Sequence, residues 1–125
     1  MSLATGDTQP PTALAPALPA TVCRIIGRLY RVFRAERVVL FGSYARGQPT
    51  LRSDIDLLVV LPDEERLEEA TRRRGQLVAG LFPVVDLVLT TPRELAEARG
   101  ERAAFLRSVL EHGVDQGAGS PTCSR

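Results

Sequence analysis

The chain has 125 residues, a formal net charge of +1, and 44% hydrophobic and 25% charged residues. These values are typical of one soluble globular domain. They exclude a general binder of nucleic acids or membrane surfaces, which needs a strong basic excess. All 16 basic residues are arginine, which excludes a catalytic lysine. Without a spanning apolar run or a secretory pattern, a cytoplasmic location is predicted.

Composition divides the chain into three parts. Residues 1–18 are rich in Pro, Ala and Thr and predict a flexible leader. Residues 19–115 carry the periodic apolar pattern and predict one domain. Residues 116–125 contain Gly, Ser and Pro and predict a flexible tail.

The first element is an amphipathic helix. Apolar residues recur at helical spacing from Pro19 to about Ala35. On the other side of this helix lies a stripe formed by Arg24, Arg28 and Arg31. Such a stripe is typical of a solvated face, and an RNA contact is the alternative.

Two apolar strands follow, separated by a turn. Val38–Phe41 is short and β-branched, and Asp54–Leu61 is apolar on both faces beyond its first residues. Between them, 43–46 predicts one helical turn that ends at Gly47, and a loop continues through Ser53.

A helix and a third strand come next. The pattern predicts a helix from Asp63 to about Leu81, ended by Pro83, and a strand over Val84–Leu89. Only a short loop joins the first two strands, so that pair is predicted to be antiparallel. The second and third strands are joined by a helix and are predicted to be parallel with a right-handed crossover. The fold class is therefore α/β (α+β), with a small mixed β-sheet flanked by helices.

The last helical region begins with a capping pattern. Thr91 is the predicted N-cap, Pro92 occupies the first helical position, and Glu94 closes a capping box. Gly100 is predicted to break this helix, and the amphipathic pattern then continues to about Glu111.

Asp54 and Asp56 are the first candidate site residues. Side chains two apart on a strand point to the same face, so both carboxylates are expected to meet. The plain alternative is two exposed residues at a strand start. A bound cation offsets the repulsion between two close carboxylates. We therefore favour a metal site for Mg²⁺ or Mn²⁺, because these ions bind carboxylate oxygens and substrate phosphates.

Gly42 and Ser43 form a candidate phosphate turn. Glycine allows a ligand to approach the backbone closely, and serine is a natural N-cap for the following turn. Free N–H groups at a helix start attract phosphate. A simple strand-ending turn is the alternative interpretation.

Asp86 is the third candidate carboxylate. It interrupts an apolar strand, where an unpaired charge is costly. Either an arginine pairs with it, or the third strand lies beside the second and Asp86 reaches the metal pair. In the second case it could also accept the proton of an attacking hydroxyl.

These motifs together resemble a known family. Ten residues separate Ser43 from Asp54-Ile55-Asp56, and Asp86 follows in a later strand. This arrangement resembles the nucleotidyltransferase superfamily that includes DNA polymerase beta. Two sequence motifs are similar to those of its minimal nucleotidyltransferases (MNT): Phe-Gly-Ser-Tyr-Ala-Arg-Gly and Ser-Asp-Ile-Asp-Leu-Leu-Val. The resemblance covers roughly residues 20–113.

The resemblance implies a nucleotidyltransferase fold and an enzyme that transfers a nucleotide. Gly42 and Ser43 would hold the triphosphate of an NTP, with ATP as donor. Asp54 and Asp56 would bind two Mg²⁺ ions, with Asp86 completing the metal site and assisting the nucleophile.

Two arginines have less defined roles. Arg46 matches the family's Gly-Ser-x-Ala-Arg-Gly pattern, and could brace the loop by a salt bridge, which we favour, or contact phosphate. Arg52 could reach a phosphate, but a solvated loop position is the default.

The resemblance also implies a partner. Minimal members are commonly antitoxins that transfer AMP from ATP to a tyrosine of an HEPN-domain toxin. No second domain is expected that could build a pocket for a small acceptor, which fits a protein acceptor. Neither a membrane nor a nucleic acid is an expected partner.

Two alternatives to this function stay open. One is a non-catalytic antitoxin that binds its toxin directly, using the exposed sides of the helices at 92–111. The other is a nucleotidyltransferase acting on a small molecule or an RNA end. Because the chain after Gly113 is short and polar, the terminal strand of many relatives is expected to be absent or rudimentary.

Overall fold

The computed structural model describes residues 18–47, 54–81 and 83–117. The leader through residue 17, the loop at 48–53 with Arg52, and the tail from residue 118 lie outside this part. The strands are β1 (Arg37–Phe41), β2 (Ile55–Val60), β3 (Val85–Thr90) and β4 (Val114–Asp115), and the helices are α1 (Ala20–Arg31), α2 (Glu64–Val78), α3 (Pro92–Glu97) and α4 (Gly100–His112).

The four strands form one mixed sheet in the order β3-β2-β1-β4. β1 pairs antiparallel with β2, and β2 pairs parallel with β3. Both predicted orientations are therefore confirmed, as is the mixed α/β class. The short connection allows only a reversal, whereas α2 supplies the crossover that a parallel pair requires.

Alternation along the strands divides the core into two layers. One face of the sheet is covered by α1 and α2, and we call it the α1/α2 face; its strand residues are Val38, Leu40, Ile55, Leu57, Val59, Val85, Leu87 and Leu89. On the opposite face, Leu106 and Val109 of α4 pack on Val39 and Leu58. We call this the α4 face. Burial on both faces explains why β2 reads as a nearly continuous apolar run.

The first two helices end earlier than predicted. α1 stops at Arg31 rather than near Ala35, because Arg34 adopts a left-handed conformation with φ of 62°. Asp63, predicted as the first residue of α2, is its N-cap, and its side chain accepts from the Arg66 amide at 2.9 Å. It ends at Val78 because Gly80 has φ of 73°, so the chain turns before Pro83 can act.

The capping region at Thr91 is confirmed only in part. Thr91 Oγ1 accepts from the Glu94 amide at 3.1 Å, as expected of an N-cap. The Glu94 carboxylate accepts instead from the Thr90 hydroxyl and from Arg102. The bond from Arg102 is the main cause that lowers the pKa of Glu94. α3 already ends at Glu97, and Gly100 begins α4 rather than breaking a longer helix.

Two residues next to the predicted domain ends are buried. Leu18, which the prediction placed in the leader, is 6% exposed and packs in the core. Gln116, which the prediction placed in the tail, is completely buried. Its amide donates to the Val38 carbonyl at 2.7 Å, continuing the pairing of β4 with β1. The expected terminal strand is thus present but rudimentary, with two residues.

Tyr30 ties this short strand to α1. Its hydroxyl donates to the Gln116 carbonyl at 2.5 Å and accepts from the Val38 amide at 3.1 Å. We expect Tyr30→Phe to lower the free energy of unfolding by about 1–3 kcal/mol, because the buried Val38 amide loses its acceptor. Urea unfolding measures this change. An unchanged midpoint would show that the hydroxyl contributes nothing to closure of the sheet.

The arginine stripe of α1 is exposed, as its solvated-face interpretation expects. Arg24, Arg28 and Arg31 line a pocket of about 500 Å³ together with Arg73 of α2. An RNA contact there stays a prediction.

No helix in the described ranges is long and apolar enough to cross a bilayer.

Candidate active site

Asp56 and Asp86 lie side by side at one end of the sheet. They are directly paired in the parallel register of β2 and β3. Both belong to the α4 face, because Val88, two residues after Asp86, packs in the α4 layer. Asp54 is exposed immediately before β2. Of the two alternatives for Asp86, the structure shows the strand arrangement of the second, in which the third strand lies beside the second strand.

The three carboxylates also interact electrostatically. Burial is the largest cause that raises the pKa of Asp56, and the negative charges of Asp86 and then Asp54 raise this pKa further. Arg46 acts in the opposite direction. Asp56 is half-buried, whereas Asp86 is exposed. In this pair the Asp56 carboxylate is partly shielded from solvent, and the Asp86 carboxylate is accessible to an incoming molecule.

The glycine turn is in contact with the same carboxylate. Phe41 is the register partner of Asp56, and Gly42 follows it with φ of 80°. A Cβ atom at Gly42 would overlap Asp56 Oδ2. Gly42 is therefore required twice, once by its positive φ and once by the space that the carboxylate occupies.

One helical turn follows, as predicted. The Arg46 amide donates to the Gly42 carbonyl at 3.2 Å, and the Gly47 amide donates to the Tyr44 carbonyl at 3.2 Å. Gly47 has φ of 72° and ends the turn. Ser43 is half-buried at its start. The turn thus begins where β1 ends, beside the aspartate pair.

The salt bridges considered for Asp86 and Arg46 are not seen among the described residues. Within residues 18–47, 54–81 and 83–117, Asp86 forms no ion pair, so the arginine partner considered for it is not found. Arg46 likewise has no ion pair with a described residue, and the loop-bracing salt bridge is not seen there. Its observed influence is electrostatic, on Asp56.

The donor set suits a divalent cation in its chemistry. The charges of Asp86 and Asp54 raise the pKa of Asp56, so a shared positive charge would stabilise this group of carboxylates, and oxygen donors are those that Mg²⁺ prefers. As the side chains stand, no three His, Cys, Asp or Glu residues of the described ranges form a metal-binding group. The assignment of Asp54, Asp56 and Asp86 as metal ligands stays a prediction.

An aromatic pair borders the site, and only one of its rings lies in the recognised motif. The Phe105 ring of α4 meets the Phe41 ring edge-on, with centroids 5.7 Å apart and an interplanar angle of 79°. Phe105 is 38% exposed. In the sequence it is one more apolar residue of an amphipathic helix, so nothing there indicated its contact with Phe41.

Comparison with known proteins agrees with this geometry. The family described as "Nucleotidyltransferase domain" matches residues 22–115, about three quarters of the chain. The chain therefore belongs to the nucleotidyltransferase domain family and is an enzyme of the nucleotidyltransferase type.

One curated relative adds to this result. The chain is 28% identical, over 82 residues, to a protein of Methanocaldococcus jannaschii named "Putative protein adenylyltransferase". The alignment covers 66% of this chain and 79% of that protein. No solved structure matches the chain significantly.

Proposed function

We propose that this nucleotidyltransferase transfers AMP from ATP to a hydroxyl group of a partner protein, with Mg²⁺ as the metal. The observation that carries this proposal is the in-register pair Asp56 and Asp86, of which Asp56 packs against Gly42. It joins the two halves of the family motif in space.

Each residue would have a distinct part in binding. Gly42 and Ser43 would hold the triphosphate where β1 ends, because backbone N–H groups at the start of the helical turn attract phosphate. Asp54, Asp56 and Asp86 would hold the divalent ions. When bound, these ions would neutralise phosphate charge and orient the leaving group.

Asp86 would be the proton acceptor. Its exposure leaves it accessible to a hydroxyl brought by another molecule. The hydroxyl oxygen would bond to the α-phosphorus, the bond from this phosphorus to the pyrophosphate oxygen would break, and the hydroxyl proton would pass to Asp86. Pyrophosphate leaves, and the acceptor keeps the AMP group.

A protein acceptor is favoured by two facts. The curated relative is named for protein adenylylation, and the exposed Asp86 is accessible to a residue presented by another protein. The resemblance to minimal nucleotidyltransferases supports an HEPN-domain toxin as the partner and a tyrosine hydroxyl as the acceptor.

The test is an AMP-transfer assay with α-labelled ATP, MgCl₂ and the protein encoded by the neighbouring gene. We expect label on that protein, dependent on the metal and absent with the double variant Asp54→Asn and Asp56→Asn. Absence of label on any protein with ATP, GTP, CTP or UTP would contradict the proposal.

The same double variant tests direct sequestration, the non-catalytic alternative. Full neutralisation of the partner by this variant would favour sequestration. On the helices at 92–111, however, Phe105 is the single exposed large hydrophobic residue among those described. This surface is therefore less apolar than a tight obligate interface.

A further inference from the structure

A wide groove runs along the outer edge of β3. It has a volume of about 1020 Å³, and its floor is the strand from Asp86 to Leu89. α2 forms one wall, and α3 with the start of α4 forms the other. Because Asp86 belongs both to the candidate active site and to this floor, the groove opens directly from the site.

The floor exposes backbone groups that none of the described strands satisfies. Among these strands, β3 is at the edge of the sheet and pairs with β2 alone. The carbonyls of Val84 and Thr90 accept from the amides of Ile55 and Leu61, so even-numbered residues of this region face β2. In a parallel pair alternate residues face opposite sides. Leu87 and Leu89 therefore direct their backbone groups into the groove.

Two arginines show that these groups are accessible from the groove. Arg74 of α2 donates to the Leu87 carbonyl at 3.2 Å, and Arg102 of α4 donates to the Leu89 carbonyl at 3.4 Å. Both are ends of long, exposed side chains, which another donor can replace. The matching N–H groups of Leu87 and Leu89 have no partner within the described residues.

We propose that the acceptor protein binds as an extended segment added to this edge of β3, with its target residue beside Asp86. This inference rests on the proposed function, since it names how the acceptor of the same site is held. Only another peptide backbone can pair in series with groups at strand spacing. The carboxylates of Glu64, Glu68 and Glu97 line the groove and disfavour a nucleic acid.

The register explains why such binding would serve the reaction. A residue paired with Asp86 across the edge would have its Cβ about 5 Å from that of Asp86. Its side chain would project from the α4 face, as that of Asp86 does. Its hydroxyl would then lie near the proton acceptor, while neighbouring residues alternate toward the two groove walls.

Amide hydrogen exchange measured by NMR tests this binding mode. The full chain is compared alone and with the protein encoded by the neighbouring gene, without nucleotide so that no transfer occurs. We expect the Leu87 and Leu89 amides to exchange at least tenfold more slowly in the mixture. The Val88 amide, which faces β2, is the internal control and should be protected in both samples.

Thr71→Trp provides a kinetic test. Thr71 lines the groove from α2, so the indole should obstruct an added strand and raise KM for the protein acceptor at least tenfold. KM for ATP should not change. Arg72→Trp is the matched control, because Arg72 is the next exposed residue of α2 and lies outside the groove lining.

The outcomes separate the two proposals. Protected amides without AMP transfer would keep the edge as a docking site and overturn the proposed function. AMP transfer with unprotected amides and an unchanged KM in Thr71→Trp would leave the function standing and overturn the binding mode. A mixture in which the two proteins show no binding at all would also overturn it.

Discussion

Asp56→Asn is expected to reduce nucleotidyl transfer by about a thousandfold or more, because it removes a charge from the centre of the carboxylate group. The same change is expected to stabilise the metal-free protein. Asp56 is half-buried beside Asp86, and burial together with the charges of Asp86 and Asp54 disfavours its ionised form in the folded state. Loss of activity together with a gain in stability would distinguish a functional carboxylate from a structural one.

The direction of the pKa shift of Asp56 determines how the stability of the protein changes with pH. Burial and two neighbouring charges raise the pKa of Asp56 in the folded protein above the ordinary value of 3.8. Its contribution to stability is therefore fully present below that ordinary value and is lost as pH rises through the folded pKa. Asparagine does not titrate, so Asp56→Asn should remove this part of the pH dependence.

Thermal unfolding in EDTA between pH 4 and 8, together with the AMP-transfer rate, measures both effects. Asp63→Asn is the matched control, because asparagine caps a helix as well as aspartate does and α2 should keep its start. This control should retain activity. A less stable Asp56→Asn protein, or one with normal transfer, would contradict the role assigned to this carboxylate.

Gly42→Ala is expected to lower transfer by a factor of about a hundred or more, and to destabilise the fold. The methyl group would overlap Asp56 Oδ2 and force the carboxylate or the turn to move. The positive φ of 80° adds roughly 1–2 kcal/mol of backbone strain for any L-residue.

Gly80→Ala separates these two causes. Gly80 has a similar φ of 73°, but nothing lies within 4 Å of the position of its added Cβ. It should therefore show the strain, measured as a loss of about 1–2 kcal/mol in urea unfolding, with unchanged transfer. If Gly42→Ala loses as much stability as Gly80→Ala but keeps full activity, the contact between Gly42 and Asp56 does not contribute to transfer.

Local patterns predicted those features that depend on neighbouring residues. The alternation in β2, the cap at Thr91 and the turn ended by Gly47 follow from side-chain periodicity and from residues with special backbone preferences. Helix ends were less predictable. Apolar spacing continues through Phe33 to Ala35, and Phe33 is completely buried, yet the helix has already ended at Arg31. An apolar side chain can pack in the core whether it belongs to the helix or to the segment that follows it, so apolar spacing alone does not locate the helix end.

The sequence by itself determined the class of this protein, because Gly42-Ser43 and Asp54-Ile55-Asp56 are close along the chain and their spacing defines the motif. Only the tertiary structure decided what stands beside them. Asp86 is 30 residues from Asp56 along the chain, and their adjacency depends on the parallel register of β2 and β3. Phe105 and the open edge of β3 depend likewise on how helices pack on the sheet. Contacts between distant segments are set by the packing of whole layers, which no local pattern records.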